Sequence, residues 1–190
     1  MPKTHETIRE SLYRANYRQV YAFFDRLFGD AVIAGRLSEE VFVDAYTNYG
    51  AFGIRTRREL EHHENEIRVM LARLCVKCAL RHLRDDPDAT IRYDWYVTDP
   101  EAPLNEEPGY FLRGETSCHN LYRALTSLHG DGCELILLHQ CAELSLEHIA
   151  PLYEISAEAA HVRYLRARRA FYNKFRTMHE KDTGNAAYAK

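Results

Sequence analysis

The stretch LSLEHIAPLYEISAEAAHVRYLRAR, residues 144–168, decides the fold. Ser145 precedes a short apolar-patterned segment holding Leu146, Ile149, Ala150 and Leu152. Ser156 precedes a longer one, in which Ala160, Tyr164, Ala167 and Phe171 recur at three- and four-residue steps. Serine is a favoured helix N-cap because its hydroxyl accepts from a backbone N–H that the first turn leaves unpaired. The pattern predicts a short helix, a turn at Tyr153 to Ser156, and a long helix from Ala157 to about Met178. Two helices joined by so short a turn make the helix-turn-helix arrangement. Pro151 predicts irregularity in the first helix, because proline brings no backbone donor.

The long helix also carries the charge. Arg163, Arg166, Arg168, Arg169, Lys174 and Arg176 lie between His161 and Arg176 with no acid among them. A helix basic on one side and apolar on the other can lie along a duplex while packing on its own domain; the alternative is a solvated surface helix. The whole chain hides this asymmetry. It has 25 Lys+Arg against 28 Asp+Glu, a net charge of −3.

Moving toward the N-terminus, a second helical unit begins near Glu115, with Leu121, Tyr122, Leu125 and Leu128 on one helix and Cys133 to Cys141 on the next. Before it, residues 85–114 form an acidic, proline-containing linker: Pro87, Pro100, Pro103 and Pro108 cannot all sit inside helices. Residues 1–84 read as a first helical domain. Tyr13, Tyr17, Val20, Phe24, Leu27 and Phe28 stripe one helix ending near Gly29, and Ser38 is the expected cap of a second, ahead of Glu39, Glu40, Val41, Phe42, Ala45 and Tyr46. Ile67, Met70, Leu71, Leu74 and Cys78 mark a third. Arg73, Lys77, Arg81 and Arg84 follow at steps of four, four and three, so they share a different face of that helix, either solvated or holding a phosphate backbone. The expectation is an all-α chain of two small domains, residues 1–84 and 115–181, followed by a flexible tail at 182–190.

Several function classes are disfavoured. At 46% apolar residues the chain can build a core, and its longest aliphatic run, Leu135 to Leu138, is far short of the roughly 20 residues of a membrane span. No apolar export segment is visible, and five cysteines are an odd number, which argues for a reducing, cytoplasmic setting. Cys75-x-x-Cys78 lies on an apolar stripe, so packing is expected, with a metal or redox role involving His119 or His139 as the alternative. His62-His63-Glu64 reads as ordinary surface, its adjacent side chains diverging. No nucleotide-binding glycine loop, zinc-protease or serine-hydrolase motif is present, and no cofactor is expected.

Taken in order along almost the whole chain, these segments resemble an RNA polymerase sigma factor of the sigma-70 class, of the small two-domain extracytoplasmic-function type. LYRANYRQVYAFF (12–24) resembles the opening helix of region 2. Gly29-Asp30, LSEEVF (37–42) and Ala45-Tyr46 are similar to its polymerase-clamp-binding segment, and ARLCVKCALRHLR (72–84) to the helix that engages the −10 element. Residues 144–168 look like region 4, whose second helix reads the −35 element. The resemblance implies a non-enzymatic protein whose partners are bacterial core RNA polymerase, promoter DNA and an anti-sigma factor or other regulator. It assigns polymerase docking to Leu37, Glu40, Val41, Phe42, Asp44 and Tyr46. It assigns −10 contacts to Arg73, Lys77, Arg81 and Arg84, and −35 contacts to Ser156, Ala159, His161, Arg163 and Arg166.

The chain departs from the family at Arg36, where an acid is common, at Glu154, where a glycine usually turns the chain, and at Ala159 and His161. Residues 51–66 are also longer and more acidic than the corresponding loop. These departures leave open an active sigma with unusual promoters and a sigma-like regulator that binds polymerase without initiating. A helix-turn-helix repressor, binding DNA as a dimer, is a third possibility.

Overall fold

The computed structural model describes residues 3–48, 56–86 and 118–187, and every regular element among them is helical. The expected linker falls almost wholly outside these residues. Helix α1 (Lys3–Phe28) runs into α2 (Ala31–Asn48) through Gly29, whose φ of 67° supplies the left-handed turn that ends α1. Asp30 starts α2: its carboxylate accepts from the backbone N–H groups of Val32 at 2.8 Å and Ile33 at 2.9 Å. Ser38, the expected cap, instead lies within α2, fully buried, donating its hydroxyl to Ala34 O at 2.6 Å. The apolar phase explains this, since Ala34 and Leu37 are as buried as Val41 and Phe42 and draw the helix back past the serine.

A capping box at Thr56 and Glu59 opens the one-and-a-half-turn α3 (Arg57–His62). After His63 comes α4 (Glu64–Asp85), the third stripe of the sequence. Its residues Leu71, Leu74, Cys75, Cys78, Ala79 and Leu83 are buried, and it packs against both α1 and α2.

The second half comprises α5 (Cys118–Thr126), α6 (Gly132–Gln140), α7 (Leu146–Ile149), a 3₁₀ turn over Ala150–Tyr153, and α8 (Ala157–Ala187). Gly132 lets α6 approach α8: a Cβ there would meet the Ala167 Cβ at 3.2 Å. Both serine caps are present, Ser145 accepting from His148 N and Ser156 from Ala159 N. Pro151 tightens the end of the short helix into the 3₁₀ turn. Glu154 follows at φ 54° and ψ 40°, the left-handed geometry that its place in the turn suggested. Helix α8 continues well beyond Met178, into the segment expected to be a tail.

The two halves share one buried cluster, running from Phe24 and Leu71 to Leu138 and Phe171. Helix α4 also packs on α5 and α6. Polar contacts between described residues also cross the junction. Arg26 donates to Cys141 O at 2.9 Å and pairs with Glu143 at 2.7 Å, and Arg73 pairs with Glu134 at 2.7 Å. A cavity of only about 20 Å³ remains between Leu71, Ala72 and Cys75 on one side and Ala142 and Leu144 on the other.

Candidate nucleic-acid interface

Helix α8 presents two contrasting faces. Ala160, Tyr164, Phe171 and Phe175 are buried, with Tyr164 accepting a hydrogen bond from Gln140 and meeting His139 edge-on at 4.6 Å. Arg166, Arg169 and Arg176 are exposed on the other side. Arg163 is exposed too but bonds Asp131 at 3.2 Å, and Lys174 donates to Ser127 O. Arg168, counted with the basic face in the sequence, is buried at 6% exposure and leaves that face. A groove of about 470 Å³ runs beside Arg163 and Arg166 toward Asp131 and Gly132. Of the residues expected to read DNA, Ser156 is occupied in capping, Ala159 and His161 are half-buried, and Arg163 and Arg166 are exposed.

The row on α4 is divided among acidic partners. Arg73 is held by Glu134, whose second oxygen accepts from the Tyr153 hydroxyl at 3.1 Å. Arg81 bonds Glu40 at 2.9 Å, lies 3.9 Å from Asp44 and donates to the Cys78 sulfur. Arg84 forks onto the neighbouring Asp85 at 2.8 and 3.3 Å, and Lys77 is exposed. Shared spacing thus puts four cations on one helix, but local carboxylates, including one from the second half, meet three of them.

The expected docking residues on α2 split in the same way. Leu37, Val41 and Phe42 are each 1% exposed, and Phe42 meets Tyr13 at 4.8 Å. These three side chains belong to the core. Glu40 bridges Arg36 and Arg81, Asp44 lies beside Arg81, and Tyr46 donates to Arg9 O at 2.8 Å. The outward edge of α2 carries Val32, Arg36, Glu39 and Val43, with Val32 80% and Val43 60% exposed. At 100° per residue these four fall within a sector of about 60°. Sequence reading missed the two valines because they look like core residues; the signal was their phase, eleven residues apart and out of step with Leu37 and Val41.

Burial accounts for the cysteines whose side chains are described. It pushes the Cys75 thiol well above its ordinary pKa, and pushes Cys78, beside Glu40, up to about 11 and Cys133 up to about 12. Such thiols are poor nucleophiles at neutral pH. Among the described residues no three His, Cys, Asp or Glu side chains gather as a metal site, and no helix is long and apolar enough to cross a membrane. At the junction of α2 and α4, His82 is 9% exposed, its ring edge-on to Phe28 and its Nδ1 3.4 Å from Arg36. Its Nε2 is buried without a partner. Burial, then the Arg36 charge, lowers its pKa.

No protein-family model matches the chain, and comparison with curated proteins returned no match.

Proposed function

We propose that this protein is a sigma-type initiation factor that docks on bacterial core RNA polymerase and directs it to promoters in the cytoplasm. The observation that carries the reading is the outward edge of α2. It bears two strongly exposed valines flanked by Arg36 and Glu39, on the helix whose LSEEVF segment resembles the clamp-binding segment of sigma factors. Exposed aliphatic residues framed by charge are what a protein docking surface offers: an apolar centre with a polar rim. The short helix, the left-handed Glu154 turn and α8 support a helix-turn-helix, in which the exposed arginines hold upstream DNA.

The −10 function of α4 then requires a change. Arg73 and Arg81 must exchange Glu134 and Glu40 for DNA phosphate, and the second half must leave α4. This favours a specific second reading, a polymerase-binding regulator in which the α4 row stays internally paired and no initiation follows.

Pull-down of core polymerase with the full chain tests the first reading. The parent associates at micromolar concentration, and Val32→Asp with Val43→Asp abolishes association while leaving helicity intact, since both side chains are exposed. Absence of association by the parent refutes the proposal. Association without any transcript from a genomic promoter library selects the regulator.

A further inference from the structure

Val162 and Leu165 are the exposed large apolar residues of α8, at 44% and 38%. Exposed aliphatics scattered singly need no explanation. These two sit one turn apart near the start of the helix, on the side away from Tyr164 and Phe171. At 100° per residue, Glu158, Val162, Leu165, Arg166, Arg169, Asn173 and Arg176 all fall within a sector of about 100°. All seven are exposed. This edge does not coincide with the residues expected from the sequence. Ala159 and His161 flank it half-buried, and Arg163 turns aside to Asp131.

We propose that this edge enters the major groove of duplex DNA, with Val162 and Leu165 against thymine 5-methyl groups and Arg166 and Arg169 on the adjoining phosphates. The inference rests on the DNA-binding part of the function proposed above and specifies which bases are read. Each base pair presents a distinct pattern in the major groove, and the thymine methyl is the apolar feature there, so an aliphatic side chain discriminates by packing on it. Charge supports this occupant over a protein: no acid interrupts residues 161–176, and three arginines lie on the same sector. From Glu158 to Arg166 the helix rises about 12 Å, enough to address three or four base pairs at 3.4 Å each. Glu158, at the entering end, is exposed and carboxylate-bearing. It is repelled by phosphate and suited to accept from the cytosine amino group.

Duplexes selected from a random library by the full chain bound to core polymerase provide the probe. Each thymine is then replaced by deoxyuridine, which removes only the methyl group. Binding should weaken about fourfold at one or two positions, the loss expected for one methyl contact. Val162→Ala should erase the thymine preference at one of them and Leu165→Ala at its neighbour, with helicity unchanged. Arg166→Ala should instead weaken binding evenly across sequences and lower the salt slope by about 1. Indifference of the parent to deoxyuridine at every position, or a preference that survives both alanine variants, overturns the assignment. That result marks the edge as a protein contact or bare surface. If the chain binds polymerase but selects no DNA, the assignment falls while polymerase docking stands; if it binds neither, the proposed function falls as well.

Discussion

Replacing Glu134 with glutamine removes one of the charges that tie the two halves together. Its carboxylate accepts from Arg73 Nε at 2.7 Å and from the Tyr153 hydroxyl at 3.1 Å. Glutamine keeps one oxygen to accept from Arg73, and its amide can donate to the Tyr153 hydroxyl, which accepts as well as donates, so the change removes chiefly the charge. Arg73 is 52% exposed and Glu134 26% exposed, so solvent discounts the ion pair to about 0.5–1 kcal/mol. The expected loss is therefore about 0.5–1 kcal/mol, and it is a loss of docking rather than of either half's own core.

Urea unfolding of Glu134→Gln, Arg73→Ala and the double variant forms a cycle that isolates the pair, with an expected coupling of about 0.5–1 kcal/mol. Amide exchange in α6 should quicken in the single variants, while α1 stays protected. Additivity within about 0.3 kcal/mol, together with unchanged exchange in α6, would refute the reasoning by showing that the Arg73–Glu134 contact carries no weight in solution.

Two further perturbations act on single residues. Because His82 has a lowered pKa in the fold, the unfolded chain takes up its proton first, near its ordinary value of about 6.5. The stability held above about pH 6.5 is therefore lost as pH falls from there to the folded value. His82→Phe, which keeps a ring against Phe28, should flatten that slope in urea midpoints measured from pH 7.5 to 5; an unchanged slope means other groups set it. Glu154→Gly should raise the denaturation midpoint, relieving a left-handed strain of about 1 kcal/mol at an exposed position, and a lowered midpoint would show that the glutamate is needed there.

How much of this was legible in sequence depended on whether the deciding interaction was local. The stripes of α1, α4 and α8 and the caps Ser145 and Ser156 follow from three- and four-residue neighbours, and each is where the pattern put it. The start of α2 lies well ahead of Ser38, the cap expected from the sequence, at Asp30, which was not singled out as a cap. Asp30 won since Ala34 and Leu37, on the same apolar phase, had to be buried as well. The candidate site was harder. Spacing placed Arg73, Lys77, Arg81 and Arg84 on one helix, but the carboxylates that meet Arg81 and Arg73 come from residues 40 and 134, remote in sequence. The exposure of Val32, Val43, Val162 and Leu165 was equally hidden, because an aliphatic residue in a periodic segment is read as core until neighbouring helices are placed.

Arg26 and Cys141, joined at the junction, are 115 positions apart in the chain. Closing a loop of that length costs about 4 kcal/mol of chain entropy. The α1–α2 hairpin closes through two residues, Gly29 and Asp30, at almost no such cost. Order of folding follows from that disparity. The hairpin, with α4, and the cluster of α5, α6 and α8 form as local units, and their docking comes last, once each unit has crossed its own barrier. A contact made after the folding barrier influences escape from the native state more than entry into it. Arg26 and Glu143 therefore govern how long the docked form persists, and weakening them shortens its lifetime while leaving the rate of helix assembly as it was.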